Sequence, residues 1–229
     1  NLPKIPTRIE GFDISHISGS DVVASMVVFT NGVSDRSEYR KFKTRINKND
    51  DFFNMNETIG RRLSKKNLKS WGVPELILID GGKGQLDAAI QARDLLGQNE
   101  LPFIGLAKRD EQIVIKGENF NKQKLTELDG WCESTSGYTL LNLPKSSHVI
   151  RLLQRIRDES HRFAVSYHTS ISRNRQTKSQ LDEIPGIGPR TRSKLIRRFG
   201  SVAGIKKADV KDVELVIGVA RAKVVLSRL

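Results

Sequence analysis

Two aspartates stand where aspartates are costly. Asp80 closes Leu76-Ile77-Leu78-Ile79, four consecutive large apolar residues that read as a strand buried on both faces. Asp13 lies between Phe12 and Ile14 in a second strand-like stretch, from Ile9 to His16. A carboxylate on a buried strand needs a paired charge or a bound cation. If the two strands are neighbours, both carboxylates face one point, and hard oxygen ligands suit Mg²⁺ or Mn²⁺. Such an ion activates water and stabilises charge developing on a phosphodiester. Gly81, Gly82 and Gly84 turn the chain after Asp80 into a helix expected from Leu86 to Leu96. The turn is not a phosphate loop, because Gln85 follows Gly84 and no Ser or Thr stands beside Lys83. It is not a dinucleotide fingerprint either, because Asp87 occupies the place of the third glycine. Gly81 and Gly82 are expected instead to keep bulk away from Asp80.

A helix expected from Ser146 to His168 offers a third partner. Its apolar stripe is Val149, Leu152, Leu153, Ile156, Phe163 and Tyr167. At about 100° per residue, Asp158 falls on the solvent side, while Glu159 and His161 fall on opposite flanks. A flank residue can reach a sheet edge and a back-face residue cannot, so His161 is preferred to Asp158. Periodicity alone leaves His161 and Glu159 both open. Asp50 or Asp51 is placed to cap a helix running to Leu63.

A different chemistry is written near the carboxyl end. Ile184-Pro185-Gly186-Ile187-Gly188-Pro189 precedes a helical stretch from Thr191 to Phe199. Gly186 and Gly188 allow a tight turn with exposed N–H groups, and the helix begins at the same place, so donors and dipole converge on one anion. Arg190, Arg192, Lys194, Arg197 and Arg198 surround it. This is a helix-hairpin-helix motif, suited to gripping DNA phosphate without reading bases. A second copy, Val216-Ile217-Gly218-Val219-Ala220 followed by Arg221 and Lys223, has Ile217 for the proline and Ala220 for the second glycine. The expected DNA contacts are Gly186, Gly188, Arg190, Arg192, Lys194, Gly218 and Lys223.

The elements that must position these groups follow in order. Ile9–His16, Val22–Phe29 and Tyr39–Arg45 read as an antiparallel meander, with a turn at Gly19-Ser20 and a hairpin signal at Asn31-Gly32. A helix, the Asp80 strand and its helix come next. Phe103–Ala107 and Gln112–Lys116 then pair as a hairpin. The stretch from Gly117 to Leu141 reads as a polar, irregular insertion, and 117–138 receives no role. This order predicts an α/β fold: a ribonuclease H-like mixed sheet with flanking helices, at 1–170. A polar linker is expected at 171–180, and a small all-α tandem helix-hairpin-helix domain at 181–229.

The charge agrees with two modules. The chain has 229 residues and a formal net charge of +13, which points to a polyanion such as nucleic acid. Residues 173–229 hold 14 Lys and Arg against 5 Asp and Glu, so most of the excess lies in the last quarter. No apolar run approaches the ~20 residues of a membrane span. The single cysteine, Cys132, excludes an internal disulfide framework and a multi-cysteine zinc site, and a reducing cytoplasm fits. A first residue of Asn1 suggests a fragment.

Four separated motifs carry a family resemblance. They are Gly11-Phe12-Asp13-Ile14-Ser15-His16, Ile79-Asp80-Gly81-Gly82-Lys83-Gly84-Gln85, Gly105-Leu106-Ala107-Lys108 and Arg157-Asp158-Glu159-Ser160-His161-Arg162-Phe163-Ala164. In this order, from about Arg8 to Leu229, the chain resembles the C-terminal half of the UvrC family of bacterial excision-repair nucleases. The resemblance implies a metal-dependent endonuclease with an Asp13, Asp80 and His161 set serving as catalytic residues and as ligands for Mg²⁺ or Mn²⁺. Asp51 matches a further acid tied to incision. It also implies 5′ incision of damaged double-stranded DNA handed over by a UvrB–DNA complex, in the cytoplasm. The family's N-terminal nuclease module and UvrB-binding segment are not expected within this chain. The rival readings are a non-catalytic DNA-binding scaffold and a ribonuclease specific for RNA·DNA hybrids.

Overall fold

A computed structural model describes residues 2, 4–16, 22–44, 50–108, 111–117 and 122–229, by backbone alone at 16, 122, 167–179 and 182. The expected turn at Gly19-Ser20 lies outside these residues. The chain forms two compact units, 1–166 and 167–229.

The first unit is built on one mixed sheet. Its strands are β1 (Arg8–His16), β2 (Val22–Thr30), β3 (Val33–Ser34), β4 (Arg40–Lys43), β5 (Leu76–Asp80), β6 (Phe103–Ala107), β7 (Gln112–Lys116), β8 (Trp131–Thr135) and β9 (Tyr138–Asn142). Their order is β3-β2-β1-β5-β6-β7-β9-β8, with β4 also paired to β2. The pairs β1–β5 and β5–β6 are parallel and the others antiparallel. β5 lies at the centre and is buried along its whole length, as its unbroken apolar run requires. Asn31 and Gly32 both adopt positive φ, 52° and 77°, the geometry that a two-residue hairpin turn demands.

Helices cover both faces. α1 (Asp51–Arg62) and α3 (Lys83–Leu95) pack together on one, with the short α2 (Lys65–Trp71) following α1. Asp50 caps α1, its Oδ1 accepting from the N–H groups of Phe52 and Phe53 at 3.0 and 3.1 Å. The end of α1 is tied to β1 by a fully buried ion pair, Arg62 with Glu10. α5 (His148–Asp182) covers the other face, where the Ser25 hydroxyl of β2 donates to the Ser160 carbonyl at 2.9 Å.

The buried side of α5 differs from the expected stripe. Val149 is exposed, whereas Ile150, Leu153, Ile156, Ser160 and Ala164 are buried. Small residues appear because the helix approaches the sheet closely. A Cβ added to Gly11 on β1 would lie 2.4 Å from Ile156 Cγ2. Ile156 is branched and fully buried, so it cannot give way cheaply. Gly11→Ala is therefore expected to cost about 1–3 kcal/mol by overpacking. A reduced urea midpoint at unchanged m-value checks this; an unchanged midpoint would mean that α5 does not rest on Gly11.

One further expectation is corrected. From Lys122 onward the stretch expected to be irregular is regular: α4 (Lys122–Thr126) is followed by the β8–β9 hairpin, which extends the sheet through β7–β9 pairing. Ser136 and Gly137 turn it with φ of 52° and 78°, a hairpin signal that the polar composition of β8 concealed. The stretch 171–180, read as a linker, has helical backbone within α5. Its Gln, Lys, Arg and Ser residues permit a helix, and missing apolar periodicity speaks only of packing.

The second unit contains α6 (Pro189–Phe199), α7 (Val202–Lys207), α8 (Val210–Ile217) and α9 (Val219–Arg228). Leu181, Ile184, Leu195, Ile205, Val213 and Val225 form the centre of its own core. Among the described residues no helix is long and apolar enough to cross a membrane.

Candidate active site and nucleic-acid interface

Strand register brings the two acids together. Phe12 of β1 is level with Ile79 of β5, so Asp13 and Asp80 are the next residues on adjacent parallel strands. Gly11 meets Ile156, so Asp13, two residues further on, shares the α5 face. Asp80 shares it by register. Both side chains are buried, with 5% and 7% exposure. Asp13 accepts from the Ser15 hydroxyl at 2.9 Å, while Oδ1 of Asp80 is buried with no hydrogen-bond partner.

α5 supplies the third group. His161 Nδ1 stands 3.5 Å from Asp13 Oδ2, with most of the imidazole exposed. Glu159 goes the other way. It accepts from Tyr39 at 3.1 Å and pairs bidentately with Arg162 at 2.6 Å, on the side of β3 and β4. Where α5 crosses the sheet thus puts His161, and not Glu159, beside Asp13. Asp158 is exposed and held by Arg157 at 2.9 Å. Asp80, Lys108, Arg157, Asp158, His161 and Arg162 line one cleft of ≈ 430 Å³.

The electrostatics of the acids follow from this placement. Burial raises the Asp13 carboxyl above its ordinary range, against the Ser15 hydrogen bond and the charges of His161 and Lys108. Asp80 is pushed up to about 6, first by burial and then by the negative charge of Asp13, with Lys108, Arg157 and His161 opposing. Among the described residues no three His, Cys, Asp or Glu side chains are grouped so as to hold a metal ion. What the site does contain suits a hard cation: two buried, mutually repelling carboxylates, one with an oxygen left unpartnered.

Asp51 opens α1 beside the Asp50 cap. The neighbouring Phe52 ring lies over Gly84, 2.4 Å from where a Cβ would be, so this end of α1 adjoins the turn that follows Asp80. The glycines of that turn serve the protein itself. Gly81 leaves room for the Gln85 side chain, which accepts from the Gly82 N–H at 3.2 Å and caps α3 three residues earlier than expected. Sequence reasoning left Ser15, Glu111 and Lys108 without roles. Ser15 and Lys108 both sit two residues beyond a position on the acid face, and that parity was the available signal.

The second unit presents its hairpins as N–H groups at helix starts. Gly186 has φ +82°, and Gly188 is the N-cap of α6 with Pro189 in the first turn. Arg190, Lys194, Arg197 and Arg198 are exposed on α6, and Arg192 is half-buried. The second hairpin is tighter. Gly218, φ +84°, both ends α8 and caps α9, so Ala220 lies in the first turn of α9, with Lys223 exposed further along.

Apart from the adjoining residues of the chain, no described atom lies within 4 Å of a Cβ built at Gly186 or Gly188. Gly188→Ala is expected to leave stability unchanged, since its φ is −85°, yet weaken duplex DNA binding several-fold. Gly186→Ala should also destabilise, by about 1 kcal/mol, because its φ is positive. Arg190→Gln with Lys194→Gln should flatten the salt dependence of binding by about two ion equivalents. Paired melting and salt-titrated binding curves check all three; an unaltered slope would remove α6 from the DNA contact.

Comparison with known proteins places this geometry. Residues 1–165 match the family model described as the UvrC RNAse H endonuclease domain, and 178–227 match the SAM-like helix-hairpin-helix tandem. UvrABC system protein C of Symbiobacterium thermophilum is 38% identical over 246 residues, covering 96% of this chain and 36% of that protein. The same-named protein of Solibacter usitatus is 41% identical, covering 99% and 34%. The chain thus spans about a third of the length of these curated relatives. A solved structure of Ciona intestinalis Endonuclease V in complex with DNA is similar over 72% of this chain and 87% of that one, at a TM-score of 0.40 and 13% identity.

Proposed function

The chain belongs to the UvrC family and carries its RNase H-type endonuclease domain, and from that premise we propose that it is a divalent-metal-dependent DNA endonuclease making the 5′ incision in damaged duplex during bacterial nucleotide excision repair. The observation that carries the reading is the convergence of Asp13 and Asp80, with an unpartnered Asp80 oxygen and His161 beside them. Asp13 and Asp80 would hold Mg²⁺ or Mn²⁺, with His161 as a further ligand or as the group that moves a proton. When bound, such an ion neutralises charge on the phosphate and favours ionised water. Ser15 fixes the Asp13 carboxylate by its hydrogen bond. His161, exposed on the solvent side, can carry a proton between water, the leaving oxygen and bulk solvent. Asp51 is a secondary member, beside the turn after Asp80.

The domain division proposed is a nuclease module over 1–170, a connection at 171–180, and a DNA-gripping module over 181–229. The glycine turns of the latter hold phosphates without reading bases, so the lesion is selected upstream, by the UvrB–DNA complex in the cytoplasm. A labelled duplex with one bulky adduct, preloaded with UvrB and given Mn²⁺, tests the reading. The intact chain should nick 5′ to the adduct and the Asp13→Asn chain should not. Equal nicking by both would remove the site. Preferential cleavage of an RNA·DNA hybrid would replace the substrate.

A further inference from the structure

The motif Gly105-Leu106-Ala107-Lys108 ends β6, and no role above uses its lysine. We propose that Lys108 is a catalytic residue whose ammonium contacts the scissile phosphate, and that the Glu111–Arg157 ion pair positions it. The proposal rests on the active-site reading above and adds a substrate contact to it.

Leu106 of β6 is level with Asp80 of β5, and Lys108 lies two residues further on. That parity directs it to the face of Asp13 and Asp80. It lines the same cleft as Asp80, Arg157 and His161. Its charge acts on both carboxylates, yet it forms no contact ion pair with either, and it is exposed. A lysine placed for stability alone would pair with a carboxylate or lay its stem on apolar surface. The charge count explains the arrangement better. Two carboxylates cancel one divalent ion, so Lys108 provides the excess positive charge that a phosphodiester anion requires. The need grows in the transition state, when charge builds on the phosphate oxygens.

Glu111, which precedes β7, is held for this purpose. Arg157 Nη1 donates to both Glu111 oxygens, at 2.7 and 2.6 Å, joining Glu111 to α5. Glu111 has φ 56°, a left-handed conformation that a long side chain seldom adopts. Such strain persists where surrounding contacts over-determine it, as this bidentate pair does.

The test is single-turnover nicking of the damaged duplex at saturating Mn²⁺, with DNA affinity and melting temperature measured alongside. Lys108→Met should lower the rate by about 10²-fold at unchanged melting temperature, and Lys108→Arg should retain most of it. In the DNA-free protein, Lys108→Met should bind Mn²⁺ several-fold more tightly by electron paramagnetic resonance, because the ammonium no longer opposes the cation. Glu111→Gln should slow the intact protein but not a Lys108→Met protein, since it acts through Lys108. An unimpaired Lys108→Met rate, or a Lys108→Arg rate that falls as far, overturns the proposal. Asp80→Asn separates the two layers. If it still nicks, the active-site reading itself fails; if it is inactive while Lys108→Met is unimpaired, only the lysine is excluded.

Discussion

Asp80→Asn should cleave DNA on the order of 10³-fold more slowly than the parent while melting at a higher temperature near pH 7.5 in EDTA. The loss follows from the site. Removing one of two carboxylates that would hold the ion forfeits several kcal/mol of transition-state stabilisation, and each 1.36 kcal/mol is about tenfold. The gain in stability follows from the same carboxylate. Its pKa is pushed from 3.8 to about 6 in the folded chain, by burial and by the charge of Asp13. The folded state therefore holds this proton more tightly than the unfolded state. The stability contributed by the group is complete below about pH 4 and is lost as pH rises through about 6. A two-unit shift corresponds to about 3 kcal/mol, and solvent screening reduces this to about 1–2 kcal/mol. Asparagine carries no such penalty, so a rise of about 2–6 °C is expected for a unit of this size. At pH 4 the two proteins should melt alike, and Mn²⁺ should narrow the gap at pH 7.5 by stabilising only the parent. Melting curves at both pH values check the sign. Coincident curves at pH 7.5 would mean that neither burial nor Asp13 destabilises the Asp80 carboxylate.

Arg62→Met should destabilise the nuclease unit by about 3–5 kcal/mol, the penalty of leaving a buried charge unpaired. Arg62 and Glu10 are both fully buried. Arg62 Nε and Nη2 donate to the two Glu10 oxygens at 2.8 and 2.7 Å, and Nη2 also donates to the Gly72 carbonyl at 2.7 Å. This pair fastens the end of α1 to β1, three residues before Asp13. Without its partner, Glu10 faces the interior with Arg8, at 2.9 Å, as its remaining cation among the described residues. Against a typical stability of about 5–15 kcal/mol this is a large fraction. The double variant Glu10→Leu with Arg62→Met should recover much of the loss, because apolar residues of similar size often replace a buried pair with little penalty. Urea denaturation of the three proteins forms the cycle, and additive losses would show that the two residues are not coupled.

The nuclease half was legible wherever strand physics dominates. An unbroken apolar run reports a strand buried on both faces, and an acid at its end stands out against that background. The Asn31-Gly32 turn and the turn at Gly186 were equally readable, because few residues tolerate the φ values involved. The β8–β9 hairpin was not, since its strands carry Glu133, Ser134 and Thr135 and their pairing depends on β7. The Glu10–Arg62 pair was hidden for a related reason: its members lie 52 residues apart.

By itself the sequence determined which residue types are out of place, Asp13 and Asp80 on apolar strands, and that a basic helical module follows. It also narrowed the candidates for a third group to two flanks of α5. Only the tertiary structure decided which of them stands beside Asp13. Helical periodicity defines angles around an axis, but which flank faces the acids depends on how that axis lies on the sheet. Gly11, Ser25 and Ile156 set that seating by close packing, and it turns His161 toward Asp13 and Glu159 toward Tyr39.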